Sequence, residues 1–208
     1  SLEKEMIKTQ KEYETRLMLT EEQYFFIVTY YMNIQPNKHF LQNTNHYFDT
    51  DDLYLRDHHM TLRVRIINDV KSELTLKIKG KNGDDEITDG LSPKEQELLL
   101  EQNIFPYGQV RNRLMLLPYP LDKYHRITSL YNRRLEIEFD NHTLVVDKNT
   151  YEDEVDYNLE VESKLGIDHA KELLIEYAKK FNLTLSREKY VGKARRAIAA
   201  ALKKLNNN

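Results

Sequence analysis

The sequence predicts an α+β fold in which antiparallel strands close into a β-barrel, with charged side chains inside and helices packed around the outside. Three observations predict it. Charged and apolar residues alternate with period two over several short segments. The charges are sorted by segment, cations on some and acids on others. Amphipathic stretches with helix-capping residues lie between and after these segments. At 208 residues, with no linker-like break, the chain is expected to form a single domain over residues 1–208.

Taken in order, the first strand spans 12–17, where Glu12, Glu14 and Arg16 share one face opposite Tyr13, Thr15 and Leu17. A helix follows over Glu21 to Met32, with Tyr24, Phe25, Ile27, Val28 and Tyr31 near 3.6-residue spacing and Thr20 as its N-cap. Asp49 to Arg56 reads as a short helical turn anchored by Leu53 and Leu55. Two cationic strands come next. Arg63 and Arg65 alternate with Leu62, Val64 and Ile66, and Thr75, Lys77 and Lys79 alternate with Leu74, Leu76 and Ile78. Gly80 to Gly83 reads as a connection between elements. Ser92, Pro93 and Glu95 open a capped helix that runs to about Gln102.

The acidic strands follow. Arg134, Glu136, Glu138 and Asp140 alternate with Leu135, Ile137 and Phe139; Asp147 opposes Leu144 and Val146; Glu160 and Glu162 alternate with Leu159 and Val161. Two helices close the chain, Asp168 to Phe181 and Arg187 to Leu205, the second rich in alanine over 197–201. The terminal asparagines are expected to fray.

An antiparallel sheet with one wet face gives the same alternation. Two features argue for an interior instead. The polar faces hold almost no Ser, Thr, Gln or Asn, and like charges stand two apart on one strand, whereas solvated faces mix signs. Charges facing a common interior must neutralise one another or a ligand, because an unpaired buried ion costs several kcal/mol. The cations Arg16, Arg63, Arg65, Lys77, Lys79 and Arg134 suit a polyphosphate. The carboxylates of Glu12, Glu14, Glu136, Glu138, Asp147, Glu160 and Glu162 suit a hard divalent ion, Mg²⁺ or Mn²⁺. Both halves of a metal–phosphate site are present without a Gly-rich phosphate loop.

These motifs resemble the CYTH superfamily, also called triphosphate tunnel metalloenzymes. Glu12, Glu14 and Arg16 match its N-terminal E-x-E-x-K strand, with arginine in place of the lysine. Asn45 to Thr50 looks like its "YFDT" segment, and 62–65 and 74–79 look like its two cationic strands. The segments 133–140, 144–151 and 157–162 follow in the family's order, and Lys189 resembles its C-terminal lysine. Glu3 and Glu5 offer a rival first register, but Lys8 stands one residue too far to complete it.

The resemblance implies an eight-stranded tunnel, a divalent metal and a small-molecule triphosphate, with Glu12, Glu14, Arg16 and Lys77 as the catalytic group. Glu12, Glu14, Glu160 and Glu162 would hold metal; Arg63, Arg65, Lys77, Arg134 and Lys189 would grip phosphates. Triphosphate hydrolysis is the expected activity. Class IV adenylate cyclisation and non-catalytic nucleotide or polyphosphate binding are the alternatives.

Composition narrows the partners. A net charge of −3 gives no pull toward nucleic acid or an anionic membrane. The chain has no cysteine for a disulfide or thiolate metal site, and no apolar run near the roughly 20 residues of a membrane span. With charge at Glu3, Lys4 and Glu5 where a signal peptide needs apolar residues, a soluble cytoplasmic protein is expected. No histidine pair has metal-ligand spacing; His58 and His59 read as a surface turn. The tyrosines of the first helix read as packing groups. The basic run Lys193, Arg195, Arg196, Lys203 and Lys204 reads as a solvated helix face.

Overall fold

The computed structural model describes residues 9–208. Among them eight strands form a closed barrel: β1 (Gln10–Leu19), β2 (Leu41–Asp49), β3 (Met60–Ile67), β4 (Lys71–Ile78), β5 (Asp84–Leu91), β6 (His125–Glu138), β7 (His142–Tyr151) and β8 (Glu154–Ser163). Around the barrel they run β1-β5-β4-β3-β2-β6-β7-β8, and every neighbouring pair is antiparallel. Closure removes the sheet edges and gives the period-two pattern two environments, a packed outside and a charged inside.

Helices α1 (Glu21–Ile34) and α5 (Ile167–Lys180) cover one side. Outward residues Leu17, Leu135, Ile137, Leu144, Val146, Leu159 and Val161 pack there against Tyr24, Ile27 and Tyr31 of α1 and Tyr177 of α5. Phe25 turns outward instead of joining this stripe. Thr20 caps α1 as expected, accepting from the Gln23 amide while the Gln23 side chain returns to the Thr20 amide. On the other side, Leu62, Val64, Leu74, Leu76 and Ile87 pack against Leu55 of the short α2 (Tyr54–Asp57), Leu99 of α3 (Pro93–Gln102), and Val110 and Leu114 of α4 (Gln109–Leu114). Ser92 and Glu95 form the expected capping box on α3. Among the described residues no helix is long and apolar enough to cross a membrane.

Four elements depart from the sequence reading. β2, β5 and α4 carry no strong pattern of their own. β5 reads Asp-Asp-Glu-Ile-Thr-Asp-Gly-Leu, a poor strand former, and exists because β1 and β4 pair with it on both sides. The last helix, α6 (Lys193–Asn206), starts six residues later than expected, after Gly192, whose cost inside a helix favours the boundary there. Its alanine face (Ala194, Ala197 and Ala200) packs on Tyr47, Leu130 and Tyr151 of the barrel.

Candidate active site

A cavity of about 280 Å³ lies inside the barrel. The alternation expected from sequence is what fills it: Glu12, Glu14 and Arg16 of β1, Arg63 and Arg65 of β3, Lys77 of β4, Lys79 just beyond it, Arg134 and Glu136 of β6, and Glu160 and Glu162 of β8 all line it.

Strand order turns sorted charges into two walls. β5, β1 and β8 are neighbours in the barrel and carry Asp84, Glu86, Glu12, Glu14, Glu160 and Glu162. β4 and β3 continue the circuit with Lys77, Arg63 and Arg65, and Arg134 stands beyond β2 on β6. Arg16 and Glu136 are the exceptions in sign. Arg16 sits directly across from Glu160 in the β1–β8 ladder, and its guanidinium lies 5.1 Å from the ring centre of Tyr190.

Where the walls meet, carboxylates gather on one ammonium. Lys77 Nζ lies 3.0 Å from Glu12, 3.1 Å from Glu14, 3.9 Å from Asp84 and 4.0 Å from Glu86. Burial works against the Lys77 charge, but Glu14 and Glu12 outweigh it and raise its pKa. Burial also pushes Glu14 up, yet Lys77 and Arg16 pull it well below the usual carboxylate range. One lysine cannot satisfy the whole wall. Glu12 is raised by burial and by Glu86 in spite of Lys77, and Glu162 is pushed up to about 7 by burial, Glu12 and Glu14.

Lys77 and Arg134 of the cationic wall are paired, and the two arginines of β3 are not. Arg63 and Arg65 form no ion pair among the described residues, and Arg63 Nε is buried without a hydrogen-bond partner. Burial, Arg63 and Arg134 lower the Arg65 pKa to about 10. Burial is the main cause and the neighbouring cations add to it; Glu73, across from Arg65 in the β3–β4 ladder, offsets them only in part.

A third cluster ties the C-terminal helix to the barrel. Arg134 grips Asp147 through two bonds of 2.8 and 3.0 Å and reaches Glu160 at 3.3 Å. Lys193 donates to Asp147 at 3.1 Å and to Glu160. Asn158 Nδ2 adds a further bond of 3.1 Å to Asp147.

Three of the sequence-derived candidates stand apart from the cavity lining. Glu138 is exposed at the end of β6, and Lys189 is exposed in the segment before α6. Asp147 is fully buried, with its oxygens taken up by Arg134, Lys193 and Asn158. The rival first register, Glu3, Glu5 and Lys8, lies outside the described residues.

The basic run read as a solvated face needs correction. Lys193 is inside the site, Arg195 lines the cavity, and Arg196 pairs with Asp156 at 2.8 Å; Lys203 and Lys204 are exposed as expected. Asp84, Glu86, Arg56 and His59 also line the cavity and were not singled out from sequence. For Asp84 and Glu86 the signal was their alternation, hidden by Asp85 between them. For Lys193 it was the glycine that starts the helix there. His58 and His59 do form an exposed turn, with His59 at the cavity rim.

The donor set fits a hard divalent cation. It offers carboxylate oxygens only, more of them than Lys77 neutralises. As they stand, no three of the described His, Asp or Glu side chains already converge as a ready metal cage, and Lys77 sits against Glu12 and Glu14.

The CYTH domain model matches residues 10–193, which is most of the chain. The chain belongs to the CYTH family. YjbK of Bacillus subtilis (strain 168), which carries a provisional triphosphatase name, is 32% identical over 157 residues, covering 73% of this chain and 77% of YjbK. A Bacillus halodurans structure provisionally named an adenylate cyclase superposes with a TM-score of 0.82 at 28% identity, covering 90% of this chain and 97% of the other. HpAC1 of Hippeastrum, described with a dominant triphosphatase activity, shares the fold at a TM-score of 0.68 and 19% identity, over 89% of this chain and 94% of its own. The CYTH fold thus accounts for the barrel.

Proposed function

We propose that this CYTH domain hydrolyses a phosphoanhydride bond of a small triphosphate inside the barrel, with a divalent ion held by the acidic wall. The observation that carries the reading is the pair Arg63 and Arg65, cations lining the barrel cavity that form no ion pair among the described residues, opposite a wall of acids with too few cations. Such a charge pattern is costly in isolation and is satisfied by an anion and a cation bound together. The triphosphatase name of YjbK agrees with it.

In this reading Arg63, Arg65 and Arg134 hold phosphate oxygens, with Lys77 and Lys79 as point charges beside them. Glu12, Glu14, Glu160 and Glu162 are the metal-holding carboxylates. Mg²⁺ or Mn²⁺, when bound, supplies positive charge to the transferring phosphoryl group and makes water more acidic. The fixed guanidiniums stabilise charge on the equatorial oxygens without reorganising during the reaction. Arg16, held against Tyr190 and facing Glu160, adds a further cation at the boundary of the two walls. Asp147 serves as the anchor of Arg134 and Lys193.

Purified protein incubated with inorganic triphosphate, ATP and thiamine triphosphate, each with Mg²⁺ or Mn²⁺, tests the reading. Metal-dependent orthophosphate release supports it. Cyclic AMP and pyrophosphate from ATP would make the protein a cyclase, and tight binding with no turnover would make it a binding module.

A further inference from the structure

The hydrogen bond that orients Arg65 comes from a neutral side chain. Asn45 of β2 is directly opposite Arg65 in the β2–β3 ladder, is fully buried, and accepts from Arg65 Nε at 2.8 Å. Its amide nitrogen has no hydrogen-bond partner among the described residues. For the folded chain alone this is a poor choice. A buried guanidinium is best satisfied by a carboxylate, and the same barrel uses one for Arg134, which faces Asp147 across the β6–β7 ladder. The two arginines therefore have different fixed partners: Arg134 is gripped by Asp147 and Glu160, whereas Arg65 bonds the neutral Asn45 and forms no ion pair among the described residues even with Glu73, which faces it across the β3–β4 ladder. Arg134 is held far above its ordinary pKa because Asp147 and Glu160 overcome its burial, whereas Arg65 falls to about 10.

We infer that Asn45 is a positioning residue that aims the Arg65 guanidinium while leaving its charge free for the substrate's phosphate. The inference rests on the triphosphate reading of the cavity. An aspartate at position 45 would make the same bond to Nε and would also neutralise Arg65, with Arg63 and Arg134 nearby to stabilise it further. It would improve the empty barrel and spoil the anion site. A residue kept neutral for binding therefore trades stability for affinity. A residue with a purely structural role does not.

Thermal unfolding and calorimetric binding of inorganic triphosphate, on the wild type, Asn45→Asp and Asn45→Ala, separate the two. Asn45→Asp is expected to melt at or above the wild-type temperature and to bind triphosphate roughly 10- to 100-fold more weakly, the range for losing a charged hydrogen-bond partner. Asn45→Ala is expected to weaken binding less, because Arg65 loses its aim but keeps its charge. An Asn45→Asp protein that binds as the wild type does, or one that loses stability and affinity together, overturns the inference. If Asn45→Asp does not fold, an Asn45→Ala protein with wild-type affinity overturns it equally. Wild-type protein that binds no triphosphate removes the site reading itself, and the role of Asn45 with it.

Discussion

Lys193 Nζ lies 3.1 Å from Asp147 Oδ2, so the first residue of the last helix is anchored to a carboxylate in the middle of strand β7. Arg134 meets the same carboxylate from β6. Asp147 is thus the joint between barrel and α6. Asp147→Ala is expected to lower stability by about 3 kcal/mol, because it leaves two buried cations to share Glu160 alone. Urea denaturation measures the loss, and faster proteolysis around residues 186–195 would report release of α6. Wild-type stability in this variant would show that the joint is unimportant.

The two walls are expected to fail in different ways. Arg65→Ala removes a cation that holds ground state and transition state alike, so KM should rise while kcat falls. Glu12→Gln should lower kcat on the order of 100-fold with a much smaller change in substrate affinity, because metal-borne charge matters most in the transition state. Steady-state kinetics on both variants checks the contrast. Identical effects on KM and kcat would remove the division of labour.

These walls also show how much of the molecule was legible in the sequence. Arg63, Arg65 and Lys77 could be placed inside because cations alternate cleanly with leucine, valine and isoleucine on their strands. Glu160 and Glu162 were legible for the same reason. Asp84 and Glu86 were not, since a charged neighbour and a nearby glycine blur the period and β5 is held by its partners rather than its own propensity. Lys193 was hidden more deeply. A basic residue at a helix start reads as solvated until β7 and β8 bring Asp147 and Glu160 beneath it. Asp147, expected to face the interior as a metal ligand, stands apart from the cavity lining, and only the fold shows that its oxygens are already taken.

Arg16 stands where the family pattern has lysine, and the ring of Tyr190 lies against its guanidinium. Arg16→Lys is expected to preserve or increase turnover, since it keeps the charge opposite Glu160 and restores the shorter, more compact cation. Turnover of the variant under metal saturation checks this. A fall of more than about tenfold, 1.4 kcal/mol of barrier, would show that this site depends on the planar group.

The acidic wall should make stability depend on pH. The Glu162 carboxyl, at about 7 in the fold against 4.5 ordinarily, binds more protons folded than unfolded between those values. Its contribution is therefore fully present below pH 4.5 and lost as pH rises through 7. Metal-free protein is expected to melt at lower temperature as pH rises across this window, with Glu162→Gln flattening the slope and Mg²⁺ or Mn²⁺ restoring stability at the alkaline end. Melting curves with and without metal test it; a slope unchanged in Glu162→Gln would assign the effect to other groups.

The most direct test is a single turnover started by metal. Protein is mixed in excess over inorganic triphosphate in a chelating buffer, the complex is confirmed by calorimetry, and excess Mg²⁺ or Mn²⁺ is then added while orthophosphate is followed. The expected result is binding without hydrolysis before the metal, then release of one orthophosphate per triphosphate after it. Triphosphate that binds the arginine wall and stays intact in the presence of either metal would contradict the account.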